Sequence, residues 1–158
     1  LADVLTMTSL ILQNGHVMPN RAVLAWDGFK VLKTNTSTAD AIKYVERKIV
    51  TPEIIASLWD LDKVIIGKAS YVTTKEGVST IASSFIWSDK CLIYYVPQSP
   101  KLKTPSAGYT LQIGEKRKTK KWPDPDFGGD RIEVSTLFTS IIVATAAGAI
   151  IASITAAA

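Results

Sequence analysis

Apolar residues recur along this chain at two spacings, and the change from one to the other near residue 63 organises it. At the start, Leu1, Val4, Leu5, Ile11 and Leu12 form an i, i+3, i+4 stripe that predicts a helix over residues 1–13. Asn14-Gly15 ends it, with Gly15 expected to supply the left-handed conformation of a helix C-cap. Pro19-Asn20 reads as a turn, Arg21 to Ala25 as a short strand, and Trp26 to Lys33 as a short helix. Ser37-Thr38-Ala39-Asp40 then offers a cap and a first-turn acid, and Ile42, Val45 and Ile49 follow at helical spacing. Thr51-Pro52-Glu53 repeats this logic. Thr51 caps, Pro52 fits the first helical position because the N–H it lacks has no partner there, and Glu53 faces the positive end of the helix dipole. Ile54, Ile55, Leu58 and Trp59 make the buried face of that helix.

From Lys63 onward the period shortens towards two. Val64 to Ile66 is a compact apolar strand with Gly67 as a candidate bulge, and Tyr71-Val72 continues it as far as a turn at Lys75-Glu76-Gly77. Ser84 to Trp87 and Cys91 to Val96 are two further apolar runs. Ser88-Asp89-Lys90 between them predicts a hairpin. Pro97, Pro100 and Pro105 break the next stretch, and Tyr109 to Ile113 alternates again. Trp122 to Asp130 reads as a loop, Arg131 to Val134 as a strand, and Ile141 to Val143 as the start of a last β pair around Ala147-Gly148. No internal repeat is present.

Composition adds the scale. The 158 residues suffice for a domain with a real core, and 47% hydrophobic with 20% charged residues excludes general disorder. Leu137 to Ala158 is uncharged and long enough to cross a bilayer. Its many β-branched residues, the interruption at Gly148 and the missing basic flanks favour strands over a membrane helix. The chain opens without Met and without a basic leader, which fits a processed product or a piece of a longer chain. The net charge of +4 is mild and much of it is local, with Lys101 and Lys103 leading into Lys116-Arg117-Lys118-Thr119-Lys120-Lys121. Such a run binds phosphate, or is a solvated loop, or meets acidic residues on a partner. Only Trp122 adjoins it, so base stacking has little support.

No catalytic set assembles. There is no nucleophile elbow, P-loop or dinucleotide-binding glycine motif. The single His16 follows a helix-ending Asn-Gly and reads as a surface or turn residue, and the single Cys91 as a buried small hydrophobe. One His and one Cys are too few for a structural zinc site. Asp124, Asp126 and Asp130 lack calcium-loop spacing, because Gly128 stands at a ligand position and Ser135 where the bidentate Glu belongs. No cofactor, metal or enzymatic activity is expected.

Several signals occur in one order: Thr51-Pro52-Glu53 opening a helix, Leu58 to Asp62 closing it, Val64-Ile65-Ile66-Gly67, Phe85-Ile86-Trp87, Tyr94-Tyr95-Val96-Pro97, and Thr104-Pro105-Ser106-Ala107-Gly108-Tyr109. In that order they resemble the major capsid proteins of tailed bacteriophages, the family with the Hong Kong 97-type fold. The resemblance spans most of the chain and is best over residues 49–110. It implies an α+β fold, with an axial domain of central sheet and flanking helices plus part of a peripheral domain. Residues 1–18 would be the end of a spine helix and 19–115 the axial domain. Residues 116–130 would be a loop of basic and acidic residues, and 131–158 the returning peripheral strands. It further implies a virion subunit, assembled in the host cytoplasm into pentamers and hexamers of an icosahedral shell. Its partners would be copies of itself, packaged DNA held non-specifically, and scaffold, portal and decoration proteins, with no membrane. The family's N-terminal arm and extended loop are not among these residues, so this stretch alone is expected not to assemble. Trp26, Trp59, Trp87, Tyr94 and Tyr109 are expected mostly in the core. Trp59, Trp87 and Tyr109 are the candidate subunit contacts. Lys116, Arg117, Lys118, Lys120 and Lys121 are the candidates facing DNA or a neighbour. The alternative is a small nucleic-acid-binding module acting through Lys116 to Lys121.

Overall fold

The segment that follows Pro19-Asn20 becomes an inner strand of a four-stranded sheet. In a computed structural model that describes residues 2–41, 49–101, 103–114, 117–126 and 128–154, β1 (Arg21–Ala25) has a partner on each side. It pairs in parallel with β2 (Lys63–Gly67) and antiparallel with β5 (Lys90–Tyr94). β10 (Gly148–Ala152) pairs antiparallel with β5, giving the order β10-β5-β1-β2. A parallel pair needs a long crossover. The connection from β1 to β2 carries α2 (Trp26–Thr34), α3 (Thr36–Ala41) and α4 (Pro52–Leu58). The helical continuation expected at Ile42 and Val45 lies outside the described residues, and Ile49 is exposed.

Side chains alternate across a strand, so the register fixes what the sheet buries. Ala22, Leu24, Val64, Ile66, Cys91, Ile93, Ala149 and Ile151 share one face. Against it pack Val4 and Ile11 of α1 (Ala2–Gly15), Phe29 of α2, and Ile55, Ala56 and Trp59 of the α4 region. Ile11, Leu24, Ile55 and Ile93 are fully buried, each burial being worth about 1.5–3 kcal/mol relative to exposure. The cap of α4 forms as its sequence predicts, with Ile54 N–H donating to Thr51 Oγ1 at 3.4 Å and Pro52 at the first helical position.

The chain divides into two units. One comprises residues 1–107 and 144–158, the other residues 108–143. The first unit also holds a short ribbon of β3 (Ser70–Val72) and β4 (Ser83–Phe85). The second holds two separate ribbons: β6 (Gly108–Gln112) with β9 (Phe138–Ile142), and β7 (Lys118–Asp124) with β8 (Gly129–Ser135).

Several local expectations are corrected. Ser84–Trp87 and Cys91–Val96 do not form a hairpin, since β4 pairs with β3 while β5 joins the central sheet. The last β pair does not form either: β9 pairs with β6, a one-turn 3₁₀ helix spans Thr145–Ala147, and β10 adds to β5. The expected loop at 116–130 is largely the β7–β8 ribbon. Pro123 is tolerated there because a two-stranded ribbon has only edge strands. Gly67 keeps regular register with Ala25 and forms no bulge. The left-handed residue after α1 is His16 (φ 51°), whose N–H donates to Leu12 O, while Gly15 stays helical.

Candidate interaction surfaces

Among the described residues no group of three or more His, Cys, Asp or Glu side chains is arranged to hold a metal, and no helix is long and apolar enough to cross a membrane. Cys91 is buried in the central sheet, and burial pushes its thiol up to about 11. A thiol held protonated is a poor nucleophile. His16 is exposed in the turn after α1.

The three aromatic candidates separate. Trp59 is 5% exposed and packs in the core, on the buried stripe that continues from α4. Trp87 is half-buried. Its side chain lies over Gly67, where an added Cβ would come within 3.0 Å of the Trp87 Cβ and 3.2–3.3 Å of its ring, and its Nε1–H donates to Lys90 O at 3.1 Å. Tyr109 is half-buried on the β6–β9 ribbon, sharing a face with Leu111, Thr139 and Ile141.

The basic run is distributed by the two-residue period of β7. Lys118, Lys120 and Trp122 point to one face of the ribbon, with Glu133 and Arg131 of β8 beside them. Lys121 points to the other face with Ile132 and pairs with Asp130 at 2.6 Å. Arg131 pairs with Asp124 at 3.0 Å, and Lys120 stands opposite Glu133 in register. The two strands thus carry four basic residues against three acidic ones. Interleaved pairs of this kind give a ribbon with little net field, and exposed pairs contribute roughly 0–1 kcal/mol each. Arg117 is exposed and, among the described residues, has no ion-pair partner. Lys116 lies outside the described residues.

Apolar side chains are left uncovered on the ribbons. Leu111, Ile113, Leu137 and Phe138 are between 51% and 74% exposed, as are Ile132 and Val134 on β8.

Known proteins resemble this chain in both sequence and fold. No protein-family model matches the sequence. Over 99 residues, 60% of this chain, the sequence is 28% identical to the major capsid protein of Burkholderia phage BcepMu. The chain covers 31% of that protein's length. A crystal structure of a phage-related protein from Bordetella bronchiseptica RB50 superposes on 99% of this chain with a TM-score of 0.87 at 22% identity, and the chain spans 52% of it. The chain shares that protein's fold.

Two features are not legible in the sequence. One is Asn20, which reads only as a turn residue, yet its side chain bonds both N–H and C=O of Val96. The other is the outer face of the central sheet, where Val23, Ile65, Leu92 and Ile150 stand in one row. Alternation within each strand signals an outer face, but only the pairing of β10 with β5 assembles the row.

Proposed function

We propose that this chain is part of the major capsid subunit of a tailed bacteriophage, built on the Hong Kong 97-type fold and assembling with copies of itself into pentamers and hexamers of an icosahedral shell. The observation that carries the reading is the match of 99% of the chain to a phage-related protein's fold. The 28% identity to a phage capsid protein over 99 residues supports it. The chemistry is compatible. A shell subunit needs a rigid domain and complementary surfaces rather than a reactive centre, and closed symmetry then limits growth. The four-stranded sheet with its helices supplies the rigid part, in the role of the axial domain. The ribbons of residues 108–143, with their uncovered aliphatic side chains, supply surfaces that a neighbouring copy would bury, in the role of a peripheral segment. Packaged DNA, scaffold, portal and decoration proteins are the further partners of this reading, and the virion its location. The interleaved acids of β7–β8 weigh against a nucleic-acid module acting through Lys118 to Lys121.

The test is negative-stain electron microscopy of the native full-length protein. Uniform closed shells, or five- and six-fold rings, are expected. Only dispersed small particles would overturn the reading.

A further inference from the structure

The face of the central sheet turned away from the helices is crossed by one continuous apolar row. The register places Ile65 of β2, Val23 of β1, Leu92 of β5 and Ile150 of β10 side by side. Ile65 is 38% and Ile150 56% exposed, and Val23 and Leu92 are half-buried. A sheet face that stays in water ordinarily carries polar side chains at such positions. Four aliphatic residues in line, spanning every strand, are the pattern of a face that something covers.

The rows on either side say what kind of chain covers it. One is Lys63, Arg21, Tyr94 and Gly148, and on the other side Gly67 stands beside Ala25, and Lys90 beside Ala152. Every charged side chain in these rows is cationic. None of Arg21, Lys63 and Lys90 has an ion pair among the described residues. The Trp87 ring over Gly67 stands at one end of the face. Three inter-strand gaps of about 4.8 Å make the row roughly 14 Å long, the length of about nine or ten helical residues.

We propose that this face docks an acidic amphipathic segment, its aliphatic side chains on the Ile65–Val23–Leu92–Ile150 row and its carboxylates towards Arg21, Lys63 and Lys90. The same face of a second copy is a poor occupant, because face-to-face pairing would bring like charges together. A nucleic-acid strand leaves the aliphatic row without partners, since its bases stack on aromatic rings. The proposal goes beyond the capsid reading and stands whether or not the chain forms shells.

The experiment is a titration of the 158-residue chain, followed by ¹⁵N amide shifts. The ligand is a twelve-residue helical peptide with Leu on one face and Glu on the other, and its control is the counterpart with Lys in place of Glu. Saturable shifts centred on Val23, Ile65, Leu92 and Ile150 are expected with the Glu peptide, with binding at least tenfold weaker for the Lys peptide. Ile150→Glu, at a position 56% exposed, should weaken binding tenfold or more. Arg21→Gln with Lys90→Gln should flatten its salt dependence. Equal binding of the two peptides, or shifts confined elsewhere, would overturn the proposal. So would a concentration-dependent dimer abolished by Ile150→Glu without peptide binding, which would make a second copy the occupant. Shifts at these residues with phosphatidylserine vesicles but not with the peptide would assign the face to lipid and also refute it.

Discussion

Asn20 ties the ends of three strands together. Its side-chain amide donates to Val96 O at 2.8 Å, and its Oδ1 accepts from Val96 N–H at 2.9 Å. Its backbone N–H donates to Tyr94 O, and its carbonyl accepts from Asp62 and Lys63. The side chain therefore does for the end of β5 what another strand would do. Asn20→Ala would leave the N–H and C=O of Val96 unpaired in a part-buried site, a loss of about 2 kcal/mol. Urea denaturation should show a lower midpoint at unchanged slope, and an unchanged midpoint would contradict the role. Asn20→Asp should destabilise as well, because its carboxylate would face the Val96 carbonyl. The sequence marks Asn20 as a turn former but not as a staple, since its partner is 76 positions away. By contrast, Thr51 and Cys91 are legible, because a helix cap is decided within four residues and a lone Cys in an apolar run has few other fates.

At the scale of elements, boundaries are legible in the sequence and partnerships are not. β1 is the segment its five residues predict, and α2 ends one residue from its expected end. The expected hairpins fail because runs close in sequence found better partners far away. β5 is inserted between β1 and β10, which buries Cys91 and Ile93 on one face, whereas pairing with β4 would leave them at an edge. The same holds for α1, whose terminal Gly15 reads in the sequence as a conformational device. Its backbone is helical, and what matters is proximity: a Cβ there would lie 2.5 Å from Ala146 O, in the 3₁₀ turn before β10. Two effects of Gly15→Ala oppose each other. Helix propensity favours Ala by roughly 1 kcal/mol, less at a helix end. Separation of α1 from the 3₁₀ turn costs about 1–3 kcal/mol, as overpacking does. A contact that close cannot be absorbed by backbone on both sides, so the clash should win. A lower urea midpoint is expected, and a raised one would show that α1 docks differently.

For the whole molecule, the distribution of buried surface predicts where it opens first. The described core lies in the first unit: every residue of the buried cluster belongs to residues 1–107, with Ala149, Ile151 and Ile154 packed on it. Residues 108–143 form two two-stranded ribbons, and no described residue of that stretch is in the buried core. An isolated two-stranded ribbon is marginally stable at best in water. An exposed ion pair, Lys121–Asp130, a second from Arg131 to the largely covered Asp124, and a Thr110–Ser140 hydroxyl contact at 3.1 Å add only modestly to that. Local opening free energies run from about zero up to the global value. Amides of β7, β8, β6 and β9 should therefore exchange with solvent deuterium well before those of β1 and β5. The latter should exchange only through global unfolding. High salt should speed exchange in β7–β8 by screening its ion pairs, and should leave β6–β9, which is held by neutral groups, nearly unchanged. If the proposed function is right, the same ribbons should become protected when full-length subunits assemble, because the exposed aliphatic side chains of Leu111, Ile132, Val134 and Leu137 would then be covered. Uniform protection of all four sheets in the free chain would refute the division. Protection of the ribbons that does not change on assembly would leave the division standing and remove these residues from the subunit contacts.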